Sequence, residues 1–98
     1  MGPQYFVYIL ASRKYGALYI GVTSDLAGRV YIHREELVPG HTSRYHIHHL
    51  VYFEIFEDAE NAILREKRLK KWRRAWKIAL IETANPRWVD LYPTIAGA

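Results

Sequence analysis

Residues 5–23 read YFVYILASRKYGALYIGVT, two apolar runs joined by a polar connection. The first run, Tyr5–Leu10, is rich in β-branched and aromatic residues, which favours a buried strand. The second run, Leu18–Val22, follows a polar segment that contains Gly16, so an antiparallel hairpin is predicted. Gly21 is unusual in this strand, because an interior glycine weakens a strand and often marks a close approach by a ligand or another backbone.

The segment after the hairpin has the features of a helix. Thr23 or Ser24 is predicted as its N-cap, with Asp25 in the first turn. Pro39-Gly40 is predicted to end it. Its apolar face is formed by residues at helical spacing: Leu26, Val30, His33 and Leu37.

The second half of the chain predicts one more strand and a long helical region. His41–His49 is polar and predicted to be irregular, and Leu50–Phe56 reads as a third strand. Helical character then runs from Asp58 to about Ala84, with a break near Trp72, and the tail 85–92 packs or frays. The apolar stripe of this region includes Ala59, Ala62, Ile63 and Leu69. One α+β domain with a three-stranded sheet follows.

Composition narrows the class of protein. Lysine and arginine outnumber aspartate and glutamate 14 to 10 in 98 residues, and the isoelectric point is about 9.5, which favours polyanionic partners such as nucleic acid. The absence of cysteine excludes disulfides and thiolate zinc sites and allows a reducing compartment. No apolar run approaches a membrane span and no signal-peptide pattern is present, so we expect a cytoplasmic protein without membrane contact.

One carboxylate falls inside the apolar stripe of the long helical region. Glu66 lies four residues after Ala62 and three before Leu69, a placement that is costly unless something pairs with it. Two interpretations stay open. Glu66 either forms an ion pair with an arginine or sits at the edge of the stripe, or it binds Mg²⁺, for which one carboxylate is enough when water and substrate phosphate complete the octahedron.

His33 presents a similar choice on the first helix. A partly buried, hydrogen-bonded histidine is the commoner outcome at such a position. Arg29, however, lies one turn earlier on the same face. A guanidinium beside an imidazole, next to a helix that carries a carboxylate, is suited to stabilising a pentacovalent phosphate.

Two other stretches are rich in ligands or cations. Four histidines lie within nine residues, a composition typical of zinc sites: His41, His46, His48 and His49. Because neither a carboxylate nor a cysteine lies nearby in the sequence, we favour a solvated, DNA-facing loop. The run Arg65–Arg74, REKRLKKWRR, is predicted to turn Trp72 and Trp76 inward and its basic side toward backbone phosphates.

The ordered set of these residues resembles a known family. VYI (Val7–Ile9) and YIG (Tyr19–Gly21) are followed by Arg29, His33 and Glu66. This pattern is similar to that of the GIY-YIG nucleases, in particular their small single-domain members, over nearly the whole chain. The resemblance implies a three-stranded antiparallel β-sheet flanked by helices, in the order β-β-α-β-α-α, with residues 1–98 as a single GIY-YIG domain.

The resemblance also implies metal-dependent hydrolysis of nucleic-acid phosphodiesters. Tyr8 and Tyr19 match the motif tyrosines, one of which takes the proton of the attacking water. Arg29 matches the catalytic arginine, whose planar fork suits phosphate. His33 matches a catalytic position that holds histidine or tyrosine.

The remaining matches concern metal and substrate. Glu66 matches the carboxylate that holds one Mg²⁺ or Mn²⁺ ion. Gly21 matches the motif glycine, against which we expect scissile phosphate, metal and water to lie. Some members carry a lysine after YIG where this chain has Val22, and Arg44 could supply that phosphate contact from its loop. Asn85 matches a late asparagine that supports the site.

We therefore expect a structure-directed or non-specific endonuclease that cuts DNA, with a role in repair or recombination. Lys67, Lys70 and Lys71 are predicted to contact the substrate backbone. The alternative is a non-catalytic nucleic-acid-binding module on the same scaffold. A protein-interaction domain ranks last, because it leaves the site residues without a shared purpose. The sequence leaves open DNA versus RNA, and whether a protein partner or self-association supplies specificity.

Overall fold

A computed structural model describes residues 2–97. Its elements are, in chain order, β1 (Tyr5–Ala11), β2 (Leu18–Thr23), α1 (Leu26–Arg34), α2 (His41–Arg44), β3 (His49–Phe56), α3 (Ala59–Lys71), α4 (Arg74–Ala84) and α5 (Tyr92–Ile95). The strands form one antiparallel sheet of order β2-β1-β3. This α+β architecture confirms the predicted fold, with α2 and α5 as additional single turns. None of the helices within residues 2–97 has the length and apolarity needed to cross a membrane.

Strand β1 lies at the centre of the sheet and is covered on both faces. Residues 7–11 are at most 1 % exposed, which explains why β1 reads as a continuous apolar run instead of alternating. The face toward α3 and α4 contains Val7, Ile9, Ala62, Leu69 and Ile81. The opposite face contains Tyr8, Leu10, Leu26, Val30 and Ile47. Tyr8 therefore belongs to the α1 side of the sheet.

The N-cap of α1 lies one position after Ser24 and two after Thr23, the two predicted caps. Asp25, and not Thr23 or Ser24, caps the helix, because its Oδ1 accepts a hydrogen bond of 3.1 Å from the backbone N–H of Gly28. Thr23 instead orients the cap, since its Oγ1 accepts a bond of 3.0 Å from the backbone N–H of Asp25.

The end of α1 and the segment after it also differ from prediction. The helix ends at Arg34 and not near Pro39, because Glu36 adopts a left-handed backbone conformation with φ of 53°. Leu37, predicted on the buried face, is 60 % exposed as a result. The segment predicted to be irregular contains the short helix α2.

The break between α3 and α4 confirms the prediction. Trp72 and Arg73 have extended backbone, with ψ of 147° and 154°. Two expectations about side chains here are wrong: Ile63 is 41 % exposed and Trp76 is 50 % exposed. On both α3 and α4, fewer apolar residues are buried than the helical spacing indicates. Of the two tryptophans, only Trp72 packs partly against the core.

The tail after α4 packs against the sheet. Asn85 is 6 % exposed and donates from Nδ2 to the carbonyls of Val51 and Val89, each at 2.9 Å. Its Oδ1 accepts from the backbone N–H of Val89 at 3.0 Å. Further on, the N–H of Leu91 donates to the carbonyl of Leu50 at 2.7 Å. These bonds fix the C-terminal segment to β3.

Candidate active site

Side chains from β1, α1 and α2 form a hydrogen-bonded chain. Tyr8 Oη lies 3.3 Å from His33 Nε2, and His33 Nδ1 lies 3.0 Å from Thr42 Oγ1. Burial, and then the charge of Arg29, lowers the pKa of His33, which is therefore neutral at pH 7. Neutral His33 can accept the Tyr8 hydroxyl at Nε2 and donate from Nδ1 to Thr42. No sequence pattern pointed to Thr42, a buried polar residue of α2.

The electrostatics of Tyr8 locate two further residues. Burial raises the pKa of Tyr8 well above its ordinary value, and neighbouring Tyr19 raises it further. The positive charge of Arg29 lowers this pKa, and the negative charge of Glu66 raises it. Arg29 on α1 and Glu66 on α3 are thus the two charged residues whose electrostatic effect acts on this phenol. Four elements, β1, β2, α1 and α3, bring these side chains together.

Tyr19 is the more accessible of the two tyrosines. Its ring centroid lies 5.2 Å from that of His33 and 6.2 Å from that of Tyr8. Tyr19 is partly exposed, whereas Tyr8 is only 1 % exposed. A groove of about 400 Å³ opens beside it, lined by Tyr19, Arg29, Ile32, His33, His41 and Thr42, among others. Exposed Arg29 can reach a ligand in this groove.

Gly21 makes room for the ring of Tyr8. Tyr8 pairs with Gly21 across β1 and β2, so both point to the same face. A Cβ at Gly21 would lie 2.4 Å from Tyr8 Oη and 2.5 Å from Tyr8 Cζ. The expectation that phosphate and metal lie directly against Gly21 is thus corrected, because the phenol fills that space. Since β2 is an edge strand, the ring directs its hydroxyl toward the edge of the sheet.

Substitution of Gly21 by alanine is expected to destabilise the protein by about 1–3 kcal/mol, since the new methyl group overlaps a buried ring. Urea denaturation measures this loss. The double variant Gly21→Ala/Tyr8→Leu removes the overlap and should lose less stability than the sum of its single variants. Additive losses would show that the ring is not the obstacle.

Glu66 has the properties of a metal ligand. Its side chain is 12 % exposed, and Oε2 lies 2.6 Å from Nζ of Lys70, one turn further along α3. Within residues 2–97, Oε1 accepts no hydrogen bond, so a carboxylate oxygen is available at the edge of the site. Oxygen donors of this kind fit Mg²⁺ and Mn²⁺. The ion pair that one of the two interpretations assigned to an arginine is formed with Lys70 instead, whose side chain is half exposed.

Comparison with known proteins identifies the family. Residues 4–79 match the family model of the GIY-YIG catalytic domain. This chain belongs to the GIY-YIG family. UPF0213 proteins of Staphylococcus aureus strains Mu3 and N315 are each 35 % identical to it over 79 residues, which cover 81 % of this chain and 95 % of the relative.

The GIY-YIG fold is also found in a solved structure. A UPF0213 protein from Bacillus halodurans, determined by solution NMR, superimposes with a TM-score of 0.55. The match covers 97 % of each chain at 24 % sequence identity, and it supports the fold alone. The resemblance stated from the sequence is thereby confirmed at the level of family and fold.

One residue carried over from the GIY-YIG pattern lies outside the cluster. Asn85 binds the backbone of Val51 and Val89 on the side of the sheet that faces α4. Its hydrogen bonds reach none of the other predicted site residues. Asn85 therefore stabilises the packing of the tail against β3 and does not contact the groove.

The basic residues of the GIY-YIG domain differ in their availability. Arg44, Lys67 and Lys71 are exposed, Arg44 on α2 and the lysines on α3. Arg65, from the same basic run, forms a bidentate pair with Glu54, with distances of 2.9 Å and 2.8 Å. Arg65 is thus bound within the fold, whereas Lys67, Lys71 and Arg44 face solvent.

Proposed function

We propose that this GIY-YIG protein is a metal-dependent endonuclease that hydrolyses DNA phosphodiester bonds. The observation that supports this most strongly is the arrangement of Tyr19, Arg29 and His33 around one groove. Tyr8 is hydrogen-bonded to His33, and the charge of Glu66 acts on Tyr8. A phenol, a guanidinium, a neutral imidazole and a carboxylate can together accept a proton, balance phosphate charge and bind a metal ion.

We assign to Arg29 the binding of the scissile phosphate. It is exposed at the groove, and its planar fork can bind two non-bridging oxygens as their negative charge increases. His33 remains neutral beside it, so it does not compete for the phosphate as a second cation. Thr42 holds the His33 ring in place through Nδ1.

Tyr19 is assigned as the acceptor of the proton of the attacking water. It is the tyrosine that lines the groove, where a water molecule can reach its oxygen. Tyr8 is buried, burial raises its pKa, and its hydroxyl is directed to His33. Tyr8 therefore keeps its proton and positions His33.

The two tyrosine-to-phenylalanine variants should separate these roles. Tyr19→Phe removes the general base, and we expect the single-turnover cleavage rate to fall by about 10²–10⁴-fold. Tyr8→Phe keeps the ring that covers Gly21 and removes only the bond to His33, so its loss should be much smaller. The reverse order of losses would assign the base to Tyr8.

Glu66 would hold Mg²⁺ or Mn²⁺ with its free oxygen, after release of Lys70. When bound, the ion would polarise the scissile phosphate and stabilise the leaving oxygen. The released Lys70 ammonium would remain close to the site and could bind the substrate backbone.

Exposed cations on α2 and α3 support DNA as the partner. Lys67, Lys71 and Arg44 are exposed, and they would neutralise backbone phosphates without reading bases. Binding should therefore weaken steeply with salt. We expect Lys67→Ala and Lys71→Ala each to reduce the slope of log K against log salt by about 1. Fluorescence anisotropy with labelled duplex measures this slope, with Lys14→Ala in the β1–β2 turn as control. An unchanged slope would show that these lysines do not contact DNA and that it binds another surface of the protein.

The test of the function is cleavage of labelled single-stranded, duplex, flap and branched DNAs and of RNA, with Mg²⁺ or Mn²⁺. Preferential cutting of one junction would identify a structure-directed enzyme, and equal cutting of all DNAs a non-specific one. Salt-sensitive binding without cutting under any metal would favour the binding module. The Lys70–Glu66 ion pair is the observation that favours the binding module, because Lys70 already pairs with the carboxylate proposed to hold the metal.

The cellular setting is proposed by analogy with the family. We propose a cytoplasmic role in DNA repair or recombination. The same proposal includes a protein partner, or self-association of this chain, that determines which substrate is cut.

A further inference from the structure

A second cluster of ligand groups lies where the segment after α1 meets the start of β3. Glu36 Oε2 lies 2.7 Å from His46 Nδ1 and 3.6 Å from His48 Nε2. The three ligand atoms all lie within 4.8 Å of one another. The sequence argues against a metal at these histidines because no carboxylate is nearby in the chain. The fold supplies one, ten residues before His46.

We infer that Glu36, His46 and His48 bind a divalent transition metal, with Zn²⁺ as the expected ion. Imidazole nitrogen and carboxylate oxygen are common Zn²⁺ donors, and three protein ligands leave a fourth position for water. Bonds of roughly 2.0–2.1 Å at tetrahedral angles place ligand atoms roughly 3.3 Å apart. The separations of Glu36 Oε2 from the two imidazole nitrogens, 2.7 Å and 3.6 Å, lie on either side of this value.

The backbone supports this inference. Glu36 and His46 have φ of 53° and 54°, in the left-handed region that residues other than glycine rarely adopt. Within residues 2–97, two of the four non-glycine residues with positive φ therefore belong to the cluster. Such strain persists where the surrounding structure requires it, often at ligand-binding positions.

The cluster is separate from the proposed nuclease site and does not depend on it. It shares no residue with the groove, but the two are connected through α2. The N–H of Ile47 donates to the carbonyl of Thr42 at 2.9 Å, and the N–H of His46 to that of Ser43 at 3.4 Å. A metal on His46 would therefore hold the turn after α2 and, through Thr42, the partner of His33. Its role would be structural.

The test is titration of metal-free, full-length protein with Zn²⁺, followed by calorimetry and thermal denaturation. We expect one high-affinity Zn²⁺ ion per chain and a Tm increase of several degrees that a chelator reverses. His46→Gly removes a ligand and relieves the left-handed backbone, so its metal-free form should be as stable as wild type or more so. Its Zn²⁺ affinity should fall by at least about tenfold.

Two further variants complete the design. His41→Gln is the matched control, because His41 lies in the same segment but stacks on Tyr45 at 4.9 Å between ring centroids. It should bind Zn²⁺ like wild type. Glu66→Gln should also bind normally, which separates this site from the nuclease metal. Equal affinity in wild type and His46→Gly, or no binding by folded wild type, would overturn the inference.

Discussion

Glu66→Gln is expected to lose metal-dependent cleavage by about 10³-fold or more. The carboxylate supplies the proposed ligand, Lewis-acid stabilisation is worth several kcal/mol, and each 1.36 kcal/mol corresponds to a factor of ten in rate. Glutamine has the same shape and can still accept a hydrogen bond from Lys70, so folding should be preserved. Single-turnover cleavage of the preferred DNA measures the loss.

Glu60→Gln is the matched control for this variant. Glu60 lies in the first turn of the same helix, α3, and is exposed. It should cleave like wild type, and both variants should bind DNA with unchanged or slightly higher affinity because each removes a negative charge. Retention of most activity in Glu66→Gln would mean that another group binds the metal.

Arg29→Ala is expected to reduce the cleavage rate by about 10³-fold, at the lower end of the range for arginines that balance charge in phosphoryl transfer. Arg29 is exposed, so its loss should leave the stability of the fold nearly unchanged. Arg29→Lys should recover only a small part of the rate, because an ammonium cannot bind two phosphate oxygens in the planar fork geometry.

The control for Arg29 is Arg87→Ala, an exposed arginine in the segment after α4. It removes the same charge away from the groove and should lose little activity. If Arg29→Lys cleaved as fast as wild type, simple charge would be sufficient and bidentate binding would be excluded. Equal losses in Arg29→Ala and Arg87→Ala would attribute the effect to net charge alone.

The elements of the fold were largely predictable because their signals are local. Apolar runs between polar turns marked β1, β2 and β3, and helical spacing marked α3 and α4. Periodicity shows which residues share a face, but not how much of that face finds a partner. Ile63 and Trp76 are therefore exposed despite their pattern. The early end of α1 depends on the left-handed backbone conformation of Glu36. The side chain of Glu36 contacts His46 and His48, and local periodicity does not reveal such tertiary contacts.

The candidate site was predictable only where the motif carried it. Tyr8, Tyr19 and Arg29 follow from an ordered pattern. In the structure Tyr19 and Arg29 line one groove, and Tyr8 is buried and hydrogen-bonded to His33, which also lines it. Thr42 has no such signal, because its contact with His33 depends on the turn that forms α2. Gly21 was singled out correctly as a point of close approach, but the group that approaches is a side chain of the neighbouring strand.

The measurement that tests the central claim most directly is metal add-back with wild-type protein. Protein and DNA are freed of metal with a chelator, and Mg²⁺ or Mn²⁺ is then restored, alongside Glu66→Gln purified in the same way. We predict no cutting without metal, cutting by wild type after add-back, and none by Glu66→Gln above background. Cutting without metal, or equal cutting by both proteins after add-back, would contradict the proposed role of Glu66 in hydrolysis.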